Sequence, residues 1–289
     1  MTPTKTIGIT GASGFIGTSL TLYLEKQGYT IKHLNRGFTL ADVDICDIII
    51  NLAGASINRR WSSSAKKLIR ESRIETTKRL VGFLNGSGSK RTILLISASA
   101  IGIYPTCKSK TDVDHKAYDE YSQERGDDFL THTCIDWENE ALKANSNLRV
   151  VIARFGVVLS NKGGALPKMS LPFKFGVAGT IGNGKQLFSW IALEDLLRAL
   201  AFLIEKEELN GVFNFTSPNP VNNSELTQTL ARKYKCPIKL RIPSFAFKVV
   251  YGEASTLFTD GQRVLPKRLI ENGFTFNFMT IDSCIKLAN

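Results

Sequence analysis

Short apolar runs alternate with longer amphipathic stretches along the first half of the chain. Residues 5–10 form an apolar run that reads as a buried strand, and Ile16, Leu20 and Leu24 then recur at i, i+4 and i+8 on one helix face, with Gly28 as a C′ stop. Residues 31–34 and 47–52 read as the next two strands, and the connection between them is short for a full crossover helix. A long helix is predicted over residues 64–85 and a strand over 92–96, whose near-continuous apolar character suits a sheet covered on both faces. Residues 127–143 place Leu130, Cys134, Trp137 and Ala141 on one helix face, and 149–153 is another apolar strand. This β-α-β alternation predicts an α/β fold with a parallel, doubly wound sheet and right-handed crossovers.

The texture changes after Arg154. Gly and Pro become frequent, then helices are predicted near 193–207 and 224–235, with a short strand over 212–216. The expected organisation is a sheet domain over residues 1–155, completed by parts of 185–217, and a smaller α/β lobe formed by most of 156–289.

The first turn after the first strand carries the chemistry. Gly11, Gly14 and Gly17 lie directly after a predicted strand and open a helix, which makes a Rossmann-type dinucleotide site the expectation. Gly11 permits the tight turn, Gly14 lets the backbone approach a pyrophosphate, and Gly17 allows close helix–sheet packing. The anion would rest on free N–H groups at the helix N-terminus. The end of the second strand selects the cofactor. NAD sites place an acid there for the ribose 2′-hydroxyl, whereas this chain has Leu34-Asn35-Arg36-Gly37. Arg36 can make charge-assisted bonds to a 2′-phosphate, so NADP(H) is expected in preference to NAD(H).

Composition narrows the remaining classes. With 289 residues, 43% of them hydrophobic, the chain can bury a substantial core. No apolar run approaches the roughly 20 residues that span a bilayer, and residues 1–5 lead straight into the first strand without a signal-like leader. A cytoplasmic protein with no membrane partner is therefore expected. Cys46, Cys107, Cys134, Cys236 and Cys284 form no C-x-x-C, and His33, His115 and His132 show no i, i+4 spacing, so neither a metal site nor a disulfide framework is expected. The net charge is +11, and Lys and Arg crowd the stretch from Arg59 to Arg79, while the stretch from Asp112 to Glu140 is acidic. No nucleic-acid-binding signature accompanies the basic stretch, which reads first as a solvated helix face, the alternative being that one or two of its arginines face a phosphate. A small-molecule substrate is the expected partner, nucleic acid is not, and a homodimer stays open.

Several motifs together resemble the sugar-nucleotide-epimerase-like subgroup of the extended and atypical short-chain dehydrogenases/reductases. They are the glycine spacing, Asn51-Leu52-Ala53-Gly54, Ser97-Ala98-Ser99-Ala100, Asp136-Trp137-Glu138 and Arg154-Phe155-Gly156-Val157-Val158-Leu159. Farther on come Ser189-Trp190-Ile191 with Asp195, Ser217-Pro218-Asn219-Pro220-Val221, and Gly261-Gln262-Arg263-Val264-Leu265-Pro266. The resemblance implies cofactor contacts at Gly11, Ser13, Gly14, Phe15, Ile16, Gly17, Asn35, Arg36, Leu52, Ala53, Gly54 and Ser97. It also implies Arg73 at a phosphate or ribose, Val158 beside the nicotinamide, and Ser99 at the catalytic Ser/Thr position.

The catalytic pair is the main departure. Active members use a Tyr and a Lys four residues on, the Lys lowering the phenol pKa while hydride moves to or from the nicotinamide. On the helix with Trp137 the matching positions are Cys134 and Glu138, and Glu138 has the wrong charge for that role. Tyr104 with Lys108 is a Tyr-x-x-x-Lys in letters alone, because Pro105 disfavours helix at Tyr104. Cys134 shares an apolar stripe and reads first as core. Ser99 and Tyr104 are the remaining candidates for proton transfer. Two readings follow: an NADP-dependent oxidoreductase or epimerase-like enzyme for a small or nucleotide-linked substrate, and an NADP(H)-dependent sensor or scaffold that lost the pair.

Overall fold

In a computed structural model, which describes residues 5–86, 91–106 and 116–287, the central sheet has six strands. Cys107, Lys108, Asp112 and His115 lie outside the described residues. The N-terminal elements are β1 (Thr6–Thr10), α1 (Phe15–Lys26), β2 (Thr30–Leu34), α2 (Leu40–Asp44), β3 (Ile48–Asn51), α3 (Ser63–Gly86), β4 (Leu94–Ala100), α4 (Phe129–Ala141) and β5 (Arg149–Phe155). They continue through β6 (Val157–Ser160), β7 (Trp190–Ala192), α5 (Leu193–Glu205), β8 (Gly211–Phe215) and α6 (Asn223–Lys233). The sheet order is β8-β5-β4-β3-β1-β2, and every neighbouring pair is parallel.

Both faces of the sheet are covered, and the apolar runs explain why. Ile7, Ile9, Ile48, Ile50, Leu94 and Ile96 share one core with Leu20 and Leu24 of α1 and with α5. Ile49 and Leu95, one residue out of phase, pack on the other face against Leu80 and Val81 of α3. Burying a branched apolar side chain of this kind contributes roughly 1.5–3 kcal/mol. The short link between β2 and β3 holds only the five-residue α2, whose start is fixed by a Thr39–Asp42 capping box.

Two strands of the sheet run well past their expected ends. β4 runs past Ile96 to Ala100, and β5 runs past Ala153 to Phe155. The added residues include Ser97, Ser99 and Arg154, each almost wholly buried. Their polarity masked the strand ends in the pattern, while side-chain bonds described below make their burial tolerable.

Beyond β5 the chain leaves the main sheet. β6 pairs with β7 in parallel and with the short Gly163–Gly164 strand in antiparallel fashion. A second apolar cluster, including Leu166, Trp190, Leu226, Leu230 and Ile285, holds this part together. Helix α7 (Ser244–Tyr251) and the residues after it meet the loop that follows β3: Arg60 donates to the Val249 carbonyl, and Trp61 packs in a cluster with Ala254, Tyr251 and Leu257. Among the described residues, no helix is long and apolar enough to cross a membrane.

Candidate functional site

The site is assembled where the parallel strands end. Gly11 follows β1 with φ of +68°, and a Cβ there would lie 2.8 Å from the Leu52 carbonyl oxygen. A Cβ on Gly17 would lie 2.2 Å from the Gly11 carbonyl oxygen, so the first turn of α1 can sit on the loop only without a side chain. Gly14 is the N-cap of α1 and makes no side-chain cap bond, and the first turn carries no acid. Ser13 and Gly14 are exposed there, beside half-buried Phe15 and Ile16. The result is an open, electropositive helix end of the kind that receives an anion.

A buried polar relay sets the height of the next loop. Thr10 Oγ1 donates to Asn51 Oδ1 at 2.7 Å and accepts from the Leu52 and Ala53 amides at 3.1 and 3.2 Å. Asn51 Nδ2 in turn donates to Thr77 Oγ1 at 2.7 Å and to Ser97 Oγ at 3.3 Å. Leu52 and Ala53 are thus held beside the glycine turn, half-buried, with Gly54 exposed next to them. Ser97, expected among the cofactor contacts, has no exposed surface. It points toward α3 and braces Asn51 instead.

Arg73 lies under the same loop. Its Nη1 donates to the carbonyls of Ala55 and Ile69 at 3.1 and 2.9 Å, and its guanidinium is 5.3 Å from the Trp137 ring. A Cβ on Gly54 would be 2.9 Å from the Arg73 guanidinium carbon, so the glycine makes room for the cation. No carboxylate partners it among the described residues, and burial lowers its pKa from the ordinary arginine value. The other cations of this helix face are surface pairs, Lys66 with Glu253 and Arg70 with Asp136.

At the end of β2, Asn35 and Arg36 are exposed, and the Phe38 amide closes a turn onto the Asn35 carbonyl at 2.9 Å. On the opposite side of the glycine loop the Phe15 ring lies against the Gly163–Gly164 strand, where a Cβ on either glycine would come within 2.7 Å of it. Val158 is half-buried on β6 and packs against the main core.

The positions where a catalytic pair would stand are filled differently. Glu138, on α4, accepts from Arg154 Nε and Nη2 at 2.7 Å each and from Ser99 Oγ at 2.6 Å. Arg154 Nη1 donates to the Tyr104 hydroxyl at 2.8 Å, and the single proton of that hydroxyl is shared between Asn214 Oδ1 at 3.0 Å and the Asp119 carbonyl at 2.9 Å. Burial alone would depress the Arg154 guanidinium, but Glu138 and Tyr104 outweigh it and raise its pKa above the usual value. Burial raises the Tyr104 phenol as well. Cys134 packs with Ile103, Tyr104 and Val264, and burial pushes its thiol up to about 12.

Ser99 and Tyr104, the two candidates for proton transfer, are therefore placed in the protein interior, at 2% and 0% exposure. Both are committed to a network that ties β4, α4, β5 and β8 together. Tyr104 leaves the strand end through a turn and enters the core, where its hydroxyl satisfies Arg154. The pattern reading missed Thr10 and Thr77. A polar residue closing an apolar strand was the available signal for Thr10, whereas Thr77 is an ordinary position on a basic helix.

A parallel six-stranded sheet with this turn between β1 and α1 and these strand-end loops defines a Rossmann-type protein of the extended short-chain dehydrogenase/reductase class. Residues 7–215 match the profile of the NAD dependent epimerase/dehydratase family, and the chain belongs to that family. Residues 242–288 match a domain of unknown function, DUF1731. The chain is 37% identical to the epimerase family protein SDR39U1 homolog, chloroplastic, of Arabidopsis thaliana, over 97% of this chain and 86% of that one. It is likewise 37% identical to epimerase family protein YfhF of Bacillus subtilis, over 96% of this chain and 95% of that one. Among solved structures, human epimerase family protein SDR39U1 (isoform 2) with NADPH matches with a TM-score of 0.89 at 30% identity, covering 97% of this chain and 98% of that one.

Proposed function

We propose that this chain binds NADP(H) and works as an oxidoreductase or epimerase-like protein on a small or nucleotide-linked substrate, in the cleft between the strand ends and the C-terminal lobe. The observation that carries this reading is the open N-terminus of α1, shaped by Gly11 and Gly17, with Arg36 and no acid at the end of β2. The pyrophosphate fits the uncapped amides, and a 2′-phosphate fits the strand-end arginine. Leu52, Ala53 and Gly54 would border the adenosine, and Val158 the nicotinamide. A relative solved with NADPH supports the same cofactor. Bound nicotinamide would supply or accept the hydride. The chain's own part is to bind and orient it, with Phe15 and the Gly163–Gly164 strand covering one side.

In this reading α4 contributes no proton donor or acceptor. Cys134 is a core thiol, and Glu138 neutralises Arg154, so any proton moved in turnover comes from the substrate or from another group in the cleft. That placement also favours a second reading, an NADP(H)-dependent sensor or scaffold without turnover. We place the protein in the cytoplasm, a location to which its four free, buried, described cysteines are suited.

Calorimetry with NADPH and NADH tests the cofactor, and nicotinamide absorbance across a panel of carbonyl compounds and sugar nucleotides tests the reaction. Binding with turnover supports the enzyme. Binding without turnover on any substrate selects the sensor. No heat with either dinucleotide sinks both readings.

A further inference from the structure

The turn after β2 carries a second arginine that the chain brings from far along its length. Arg79, on α3, donates from Nη2 to the carbonyl oxygen of Arg36. Its guanidinium lies over the Phe38 ring, 4.1 Å from the centroid. Phe38 is itself anchored, 5% exposed and edge-on to Phe83 at 5.9 Å between centroids. The guanidinium is therefore anchored over a buried ring beside the Asn35–Phe38 turn.

The charge pattern along α3 sets this residue apart from the cations nearer the helix start. Lys66, Lys67 and Arg70 pair with Glu253, Glu71 and Asp136. No carboxylate among the described residues pairs with Arg79 or with Arg36. An arginine has five N–H donors, and the bond to the Arg36 carbonyl uses one. The Arg79 guanidinium thus lies at the exposed turn that carries Arg36, and neither residue has a carboxylate partner among the described residues. Two cationic residues meeting at one exposed turn favour an anion beside them.

We propose that Arg79 is the second cation of a 2′-phosphate clamp, with Arg36 as the first, and that it helps decide preference for the phosphorylated dinucleotide. The proposal rests on the cofactor reading above and deepens it. Arg36 reaches the phosphate from the turn itself. Arg79 reaches it from the neighbouring helix, with its guanidinium held over Phe38, and its bond to the Arg36 carbonyl locks the turn that presents Arg36. The anion recognised is a phosphate monoester on the adenosine ribose.

The competing role for Arg79 is a staple that only braces the turn. Arg79→Gln separates the two, because glutamine keeps an N–H donor but carries no charge. The full chain, its Arg79→Gln and Arg79→Lys variants, and Arg36→Ala would be titrated calorimetrically with NADPH, NADH and adenosine 2′-monophosphate. Thermal melts would confirm that each variant is folded. Arg79→Gln should weaken NADPH and adenosine 2′-monophosphate by about tenfold or more and NADH by less than about twofold, as expected for a lost charge-assisted bond. Arg79→Lys should keep part of the preference, since it retains charge without the planar fork. The NADPH penalty should shrink at high salt as screening grows.

Equal losses for NADPH and NADH in Arg79→Gln, or no loss for either, would overturn the clamp and leave a staple or a bystander. If instead the unmodified chain shows no preference for NADPH, or Arg36→Ala leaves the ratio unchanged, the cofactor reading itself fails and the clamp falls with it.

Discussion

Replacing Glu138 by alanine withdraws the carboxylate that three buried donors share. Arg154 would keep its bond to Tyr104 but lose both bonds to Glu138, and Ser99 Oγ would lose its acceptor. The side chains of Arg154 and Glu138 are only 3% and 7% exposed, so water cannot replace what is lost without the interior opening. Summing about 1.5–3 kcal/mol for each charged hydrogen bond would overstate the cost, because the three bonds share one group and are not additive. The better guide is the penalty of leaving one charge of a buried pair uncompensated, roughly 3–5 kcal/mol. Against a typical total stability of about 5–15 kcal/mol this is a large share.

Urea unfolding of Glu138→Ala, Arg154→Met and the pair Glu138→Leu with Arg154→Met would measure it. The single Glu138 change should cost about 3–5 kcal/mol, and the apolar pair should recover much of that, since it leaves no buried charge. A cost below about 1 kcal/mol for Glu138→Ala would refute the argument, because it would mean that the Arg154 site is wet. Glu138→Lys, the change that would restore a lysine four residues after position 134, should be worse than alanine, since it faces Arg154 with a second buried cation.

Further outcomes follow from the same geometry. Arg36→Ala should weaken NADPH binding by roughly 1.5–3 kcal/mol with little effect on NADH; equal losses in calorimetry would show that Arg36 does not read the phosphate. Gly17→Ala places a Cβ 2.2 Å from the Gly11 carbonyl oxygen. It should reduce stability by about 1–3 kcal/mol and lower affinity for either dinucleotide, and unchanged melting and binding would contradict the close packing of α1 on the loop. Asp42 is hydrogen-bonded to Lys32 and to Thr39 in the α2 capping box, and these bonds favour its charged form, lowering its pKa to about 2. Its contribution is complete above the ordinary carboxyl range and is lost as pH falls through about 2. An NMR titration of the Asp42 carboxyl with a midpoint near the unperturbed 3.8 would show that those bonds do not hold in solution.

Much of this architecture was legible along the chain. The apolar runs around Ile7, Ile49 and Leu95 announced strands buried on both faces, and Ile16, Leu20 and Leu24 announced the helix between the first two. The glycine turn was equally plain, because a backbone that must bend sharply and sit close to its neighbour excludes side chains at known spacings. Such signals are local. They depend on residues a few positions apart, and the distant chain does not alter them.

The candidate site residues divide along that line. Gly11, Gly14, Gly17 and Arg36 could be recognised from their neighbours in sequence, and so could the absence of a Tyr–Lys pair around Trp137. Whether Ser97, Ser99 and Tyr104 face a substrate or the core depended on partners 15 to 110 positions away, among them Glu138 and Asn214. Polarity in a sequence does not say whether a group is solvated or satisfied inside. Only the packed fold decides that, because a buried hydroxyl or guanidinium is stable where the chain returns to supply its complement and nowhere else. The same return brought Arg79 beside Arg36, across a separation no local pattern records.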